Sequence, residues 1–133
     1  MPDQFVLKKD NSPVKYKAEV SSIGNASTVP RLKNKTGETK NLQPSPPAKN
    51  GSIPKRELGH SNELSAALLS YDTAILLDNI PDAQIEQAFT NLIIKYTLFG
   101  GQDGDKEFIL TAAEKLLFKE QKLIVASKAI QLI

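Results

Sequence analysis

The sequence predicts a mainly α-helical protein: a small three-helix bundle, or a helical hairpin plus a long C-terminal helix, preceded by an extended or disordered arm. Two observations predict this class. Apolar residues after position 60 recur at helical spacing. Residues 1–60 instead hold seven of the eight prolines and 11 Lys and Arg against 5 Asp and Glu, whereas the remainder holds 6 against 10. The predicted division is therefore a basic arm, 1–60, and a helical interaction domain, 61–133.

The stretch from Asp105 to Ile133 is predicted to form one long helix. Two apolar series recur there every seven residues, on opposite helix faces: Ile109, Leu116, Leu123 and Ile130, then Phe118, Val125 and Leu132. At 1.5 Å per residue this helix would run roughly 43 Å and overhang its neighbours. Its last turns would need another chain to cover them, so the predicted partner interface consists of Phe118, Leu123, Val125, Ile130 and Leu132.

Two shorter helices are predicted before it. The first, 62–77, carries an apolar stripe at Leu64, Leu68, Tyr71 and Ile75. The second begins near Pro81 and carries apolar residues at steps of four and three, namely Ile85, Phe89, Leu92, Tyr96 and Phe99. Gly100 and Gly101 are expected to end it, and residues 102–104 to form the turn before the long helix.

The long helix has a structural alternative. Glu120 interrupts its main apolar stripe, and the residues after Lys122 have high strand propensity. A break near Glu120, followed by a C-terminal strand from about Leu123, fits the same residues.

The arm allows a β-hairpin over residues 5–20. Apolar and charged residues alternate from Val14 to Val20, and Asp10 to Pro13 have turn chemistry. An isolated hairpin is marginal in water, so we expect it to be ordered only against a neighbour, through Phe5, Val6, Leu7, Val14, Tyr16 and Val20. The alternative is a disordered tail. Residues 21–59 show no period and are predicted to be linker.

The sequence predicts no catalytic residue, no cofactor and no metal site. It contains no Cys, and its single His60 has no Ser or Asp pattern around it. The acidic turn 101–107 fits neither frame of a calcium loop. The N-terminus has no apolar run and the chain has no 18-residue apolar segment, so we expect neither a signal peptide nor a membrane span. The expected location is intracellular, in the cytoplasm or within a larger assembly.

These features favour a non-enzymatic protein–protein interaction or structural assembly subunit, which binds itself as a homo-oligomer or another protein through the C-terminal helix. One alternative is a nucleic-acid-associated protein whose basic arm contacts phosphates through Lys8, Lys9, Lys15, Lys17, Arg31, Lys33 and Lys35. Another is a small regulator whose arm folds on its target.

Overall fold

The computed structural model describes residues 3–133, and most of that stretch is β-strand. The strands are β1 (Asp3–Phe5), β2 (Pro13–Ser21), β3 (Asn25–Lys33), β4 (Thr39–Asn41), β5 (Ile53–His60), β6 (Leu68–Leu76), β7 (Ile93–Gly101), β8 (Gly104–Ile109), β9 (Lys115–Phe118) and β10 (Leu123–Leu132). One short helix, α1 (Ile85–Thr90), and 3₁₀ turns at Pro47–Lys49, Asp82–Gln84 and Ala112–Glu114 complete the described elements.

The strands form two sheets. The first sheet has the order β1-β10-β6-β3-β4, and β9 also pairs with β10; the second sheet has the order β5-β2-β7-β8. Pairing is antiparallel except between β1 and β10. On one edge of β10, β9 covers residues 123–126 and β1 covers residues 130–132, so residues 127–129 lie at a gap between the two short strands.

The inner faces of the two sheets enclose one hydrophobic core, which makes the fold a β-sandwich. The ring of Tyr71 from β6 lies with its centroid 4.6 Å from that of Tyr96 and 6.4 Å from that of Tyr16, both from the second sheet. Inward residues alternate with outward ones along β6, β7 and β10, which is the two-residue period of a strand.

The predicted long helix from Asp105 to Ile133 is wrong. A spacing of seven lines one side of a helix, but seven is odd, so in a strand it alternates between faces: Leu123 points outward and Ile130 inward. Lys128 also occupies an inward position of β10, where an apolar residue is expected, and this hides the alternation. The alternative of a strand from about Leu123 is confirmed by β10.

The two shorter predicted helices are also wrong over most of their length. In β6 and β7 the buried residues follow every second position, as at Ile94, Tyr96 and Leu98. Only α1 and the 3₁₀ turn Asp82–Gln84 directly before it are helical within the second predicted helix. The turn predicted before Gly104 exists, but it joins β7 to β8 in a hairpin.

The predicted arm is part of the sandwich rather than disordered. β1 and β2 are both strands, but β1 pairs with β10 and β2 pairs with β5 and β7, so the predicted 5–20 hairpin does not form. Four of the predicted neighbour contacts are buried in the chain's own core, Val20 is half-buried and Val6 is exposed; the four are Phe5, Leu7, Val14 and Tyr16. Residues 1–60 have too little apolar content to be ordered alone, and they are ordered by pairing with distant strands. For example, β3 pairs with β6, which follows residue 60 in the chain.

Replacing Tyr71 or Tyr96 with phenylalanine is expected to raise the free energy of unfolding by about 1 kcal/mol each. Both phenol oxygens are buried and have no hydrogen-bond partner among the described residues, and burial raises the pKa of both well above the ordinary value of a tyrosine. Urea denaturation measures the gain. Tyr16→Phe is the matched control and should change little, because that hydroxyl is not sealed in the core without a partner. A loss of stability in Y71F or Y96F would contradict this account and point to a buried water that satisfies the hydroxyl.

Candidate protein-binding surface

The outward face of the first sheet carries an uninterrupted block of apolar side chains. The strand register places Val125 of β10 between Ala74 of β6 and Leu116 of β9 in one row. The next row holds Leu123 between Leu76 and Phe118. Two rows of three residues therefore cross three adjacent strands. We call this block the outer apolar patch: Ala74, Leu76, Leu116, Phe118, Leu123 and Val125.

Three large members of the patch are strongly exposed. The exposed fractions are 60% for Leu116, 48% for Leu76 and 44% for Phe118. Alternation fixes this exposure, because the residues between them, such as Leu117 and Ile75, point into the core. Single exposed apolar residues are normal on proteins, but contiguous groups of them commonly mark interaction sites.

The second sheet shows the contrast. Its outward face also exposes two isoleucines, Ile93 on β7 and Ile109 on β8. Lys95 lies directly opposite Ile109 and two residues from Ile93, so a charged side chain separates them. These two residues form no continuous apolar surface and provide controls for the patch.

Most charged residues beside the patch are already paired within the chain. Arg31 forms an ion pair with Asp72, which also accepts a hydrogen bond of 2.9 Å from the hydroxyl of Ser127. On the other side, the Lys119 ammonium lies 3.1 Å from a carboxylate oxygen of Glu86. Such partly exposed pairs stabilise the fold little. These pairs add no net charge to the rim, whereas Glu120, in the turn between β9 and β10, adds one carboxylate that forms no ion pair with the residues described.

The gap between β9 and β1 contains a buried cation. The Lys128 side chain is 2% exposed, and its Nζ donates to Glu114 Oε1 at 3.0 Å and to the Ile109 carbonyl at 3.2 Å. It also lies 2.5 Å from Asp3 Oδ2. Burial alone would lower the pKa of Lys128, but the hydrogen bonds to Asp3 and Glu114 outweigh it and hold that pKa above its ordinary value. Lys128 is thus a protonated side chain that links several elements rather than a neutral base.

A separate cleft of about 650 Å³ opens at one end of the sandwich. It lies between the β2–β3 turn and α1, and its polar lining consists of Ser21, Ser22, Gln84, Gln87 and Asn91. None of these side chains titrates near neutral pH, so the cleft offers hydrogen bonds but no acid, base or thiol nucleophile.

The predicted interface residues divide between surface and core. Phe118, Leu123 and Val125 belong to the outer apolar patch. Ile130 and Leu132 have no exposed surface and are core residues of β10. Sequence reasoning missed Leu116, Ala74 and Leu76. Leu116 was assigned to a stripe of the predicted helix but was not included in its partner interface, and Ala74 and Leu76 join the patch only through the pairing of β6 with β10, which no local pattern signals.

The predicted phosphate-contacting residues do not converge on one surface. Lys15 and Lys17 lie on the outward face of the second sheet, whereas Arg31 and Lys33 belong to β3 of the first. Lys8 and Lys9 precede β2, and Lys35 lies in the β3–β4 turn. Two of these cations are neutralised locally: Arg31 by Asp72, and Lys17 by Glu19, whose pKa the hydrogen bond from Lys17 lowers.

Within residues 3–133, no three His, Cys, Asp or Glu side chains are grouped so that they could hold a metal ion. No helix in the same stretch is both long enough and apolar enough to cross a membrane. Comparison with protein-family models, curated proteins and solved structures found no match to the chain. Its function therefore has to be inferred from the surface itself.

Proposed function

We propose that this protein is a non-enzymatic protein-binding or assembly subunit that contacts its partner through the outer apolar patch. The observation that carries the proposal is the unbroken double row of apolar residues on the outward face of the first sheet. A sheet that is covered on one face by its own core usually presents polar residues on the other. An apolar second face suits a surface that another protein covers.

The composition of the patch supports this use. Phe118 supplies an exposed aromatic side chain, a residue type enriched in the cores of protein interfaces. Leu116 and Leu76 add flexible aliphatic surface on either side of β10. Covering these side chains removes apolar area from water, which stabilises a complex in proportion to that area.

The nucleic-acid alternative has weaker support. Phosphate binding depends on several cations that face the same backbone. Here the predicted set is distributed over both sheets, and part of it is engaged by Asp72 and Glu19. The helix-based interface is not retained, because the residues concerned form β9 and β10.

The proposal predicts position-specific crosslinking. A photo-reactive benzoylphenylalanine at Phe118, in the full chain expressed in the cells it comes from, should give a light-dependent protein adduct. The same group at Ile109, a comparably exposed residue on the other sheet, should give little. Adding Leu116→Ser to the Phe118 probe should reduce the adduct about tenfold, because losing the burial of a leucine side chain costs about 1.5 kcal/mol or more. Equal adducts at both positions, or none at Phe118, would overturn the proposed function.

A further inference from the structure

We infer that the partner on the outer apolar patch is a second copy of this chain, which places its own patch face to face with the first across a two-fold axis. The inference rests on the proposed function and identifies the occupant. Two properties of the patch support it: the order of side-chain sizes along its rows and the pairing of most of the charges beside it. The limited area of the patch sets the strength of the contact.

The sizes are ordered across the strands. In one row they increase from Ala74 on β6 through Val125 on β10 to Leu116 on β9. A two-fold axis that runs parallel to β10, midway between the copies, reverses the order of strands in the second copy. Ala74 then faces Leu116 of the second copy, and Val125 faces its own equivalent. The small residue of each row end meets the large one, so this row fills evenly.

The other row fits the same axis. Leu76 faces Phe118 of the second copy, and Leu123 faces its own equivalent. The β10 strands of the two copies then lie over each other in the same direction, as in sandwiches whose sheets pack with nearly aligned strands about 10 Å apart. Twelve apolar side chains form a small second core between the copies.

The charges beside the patch permit self-association. A two-fold interface brings identical surfaces together, so an unbalanced charge on the rim would oppose its own copy. Three balanced ion pairs lie beside the patch: those of Arg31 and Lys119 already described, and that of Lys122 with Asp82 at 3.2 Å. Apart from Glu120, in the turn beside Phe118, the rim therefore offers little charge that would repel a second copy or attract a highly charged partner of another kind.

The area of the patch sets the strength of the contact. Stable complexes usually bury about 800 Å² on each partner, more than six side chains can supply. The dimer should therefore dissociate in the micromolar range or above and exchange with monomer. Both species should be visible in one concentration series.

Sedimentation velocity of the full chain tests the inference. The weight-average mass should rise from 14.6 kDa towards twice that value as the concentration rises from roughly 10 to 500 µM. Ala74→Lys and Leu116→Glu alone should each weaken the dimer about tenfold, since each buries an unpaired charge. The double variant should recover most of that loss, because each Lys at 74 then meets a Glu at 116 of the other copy. Within one copy the two side chains stand side by side on the same face with Val125 between them, whereas across the axis they point towards each other.

Ile109→Ser on the second sheet is the matched control and should leave the dimer unchanged. Circular dichroism of each variant separates lost association from lost folding. A wild-type chain that stays at 14.6 kDa throughout overturns the second copy as partner. A double variant that associates no better than the single ones overturns the two-fold arrangement. If either result is found, a crosslinked adduct at Phe118 whose mass differs from twice that of the chain would still support the proposed function. If no adduct forms at Phe118, both the proposed function and the second copy as partner are overturned.

Discussion

Lys128→Ala should lower the free energy of unfolding by about 3 kcal/mol, since removing one partner of a buried ion pair typically costs 3–5 kcal/mol and leaves the others uncompensated. Lys128 ties three elements at the gap in the first sheet: β1 through Asp3, the turn before β9 through Glu114, and the end of β8 through the Ile109 carbonyl. The lower end of the range applies because the Asp3 side chain is 45% exposed and water can solvate its carboxylate in the variant.

The same contact predicts a dependence on alkaline pH. The pKa of Lys128 is raised in the folded state above that of an unfolded lysine, about 10.4. Its contribution is therefore fully present below about pH 10 and is lost as the pH rises through the folded-state pKa. Lys128→Met lacks this titration. Its free energy of unfolding should therefore fall less than that of the wild type between pH 9 and pH 11, because the other groups that titrate in this range contribute equally to both proteins.

Lys128→Met is also the control for packing. Methionine keeps most of the side-chain volume but removes the charge, so it should cost less than alanine. Chemical denaturation of wild type, K128A and K128M at pH 7 and in the alkaline range measures both effects. Surface substitutions usually change stability by no more than about 0.5 kcal/mol. If K128A stays within that range of the wild type, the three contacts of Lys128 contribute little to stability.

Lys128 also explains why the sequence pattern predicted a helix where β10 forms. The inward positions of β10 are Ile124, Ala126, Lys128, Ile130 and Leu132. Sequence patterns assign lysine to the outside, so the inward lysine breaks the two-residue period at its centre. What is left is an apolar-rich segment in which residues three, four and seven apart are easy to find. The carboxylates that make the burial tolerable come from residues 3 and 114, and no local pattern reveals them.

The parts of the fold that were predictable are those set by neighbouring residues. The turn before Gly104 follows from its glycines, and the strand from Leu123 follows from its β-branched residues. The partners of β1 and β3 could not be predicted, because β1 pairs with residues about 127 positions away and β3 with residues beyond position 60. A chain dominated by such long-range pairs contains little of its topology in any short window.

The candidate surface was partly predictable for a related reason. An excess of apolar residues near the C-terminus is visible whether the segment forms a helix or strands, and three residues of the predicted interface, Phe118, Leu123 and Val125, lie on the outward face of the first sheet. The side of each strand was not visible, so Ile130 and Leu132 were assigned to the same surface although they line the core. Assigning sides requires the strand register, which shifts every side chain if it moves by one residue.

Phe5→Ala should lower the free energy of unfolding by about 3–5 kcal/mol, as expected when a buried phenylalanine is truncated. Phe5 is 2% exposed, and its ring lies so close to Gly101 that a Cβ on that glycine would come within 2.5 Å of it. Glycine at this position therefore makes room for the ring between β1 and the end of β7. The backbone adds to the attachment: the Ile133 N–H donates to the Phe5 carbonyl at 3.0 Å, and the Leu7 N–H donates to the Ile133 carbonyl at 2.8 Å.

The N-terminal segment also connects the two sheets, which makes its loss more than local. β1 pairs with β10 in the first sheet, while the carbonyl of the next residue, Val6, accepts a 2.9 Å hydrogen bond from the Gln102 N–H beside the second. Thermal and urea unfolding of F5A should therefore show one weakened transition rather than the separate melting of an arm. Val6→Ala, at a side chain 38% exposed, is the control and should change stability by less than about 1 kcal/mol. If F5A were as stable as V6A, the N-terminal segment would be a loosely attached arm, and the core would be stable without it.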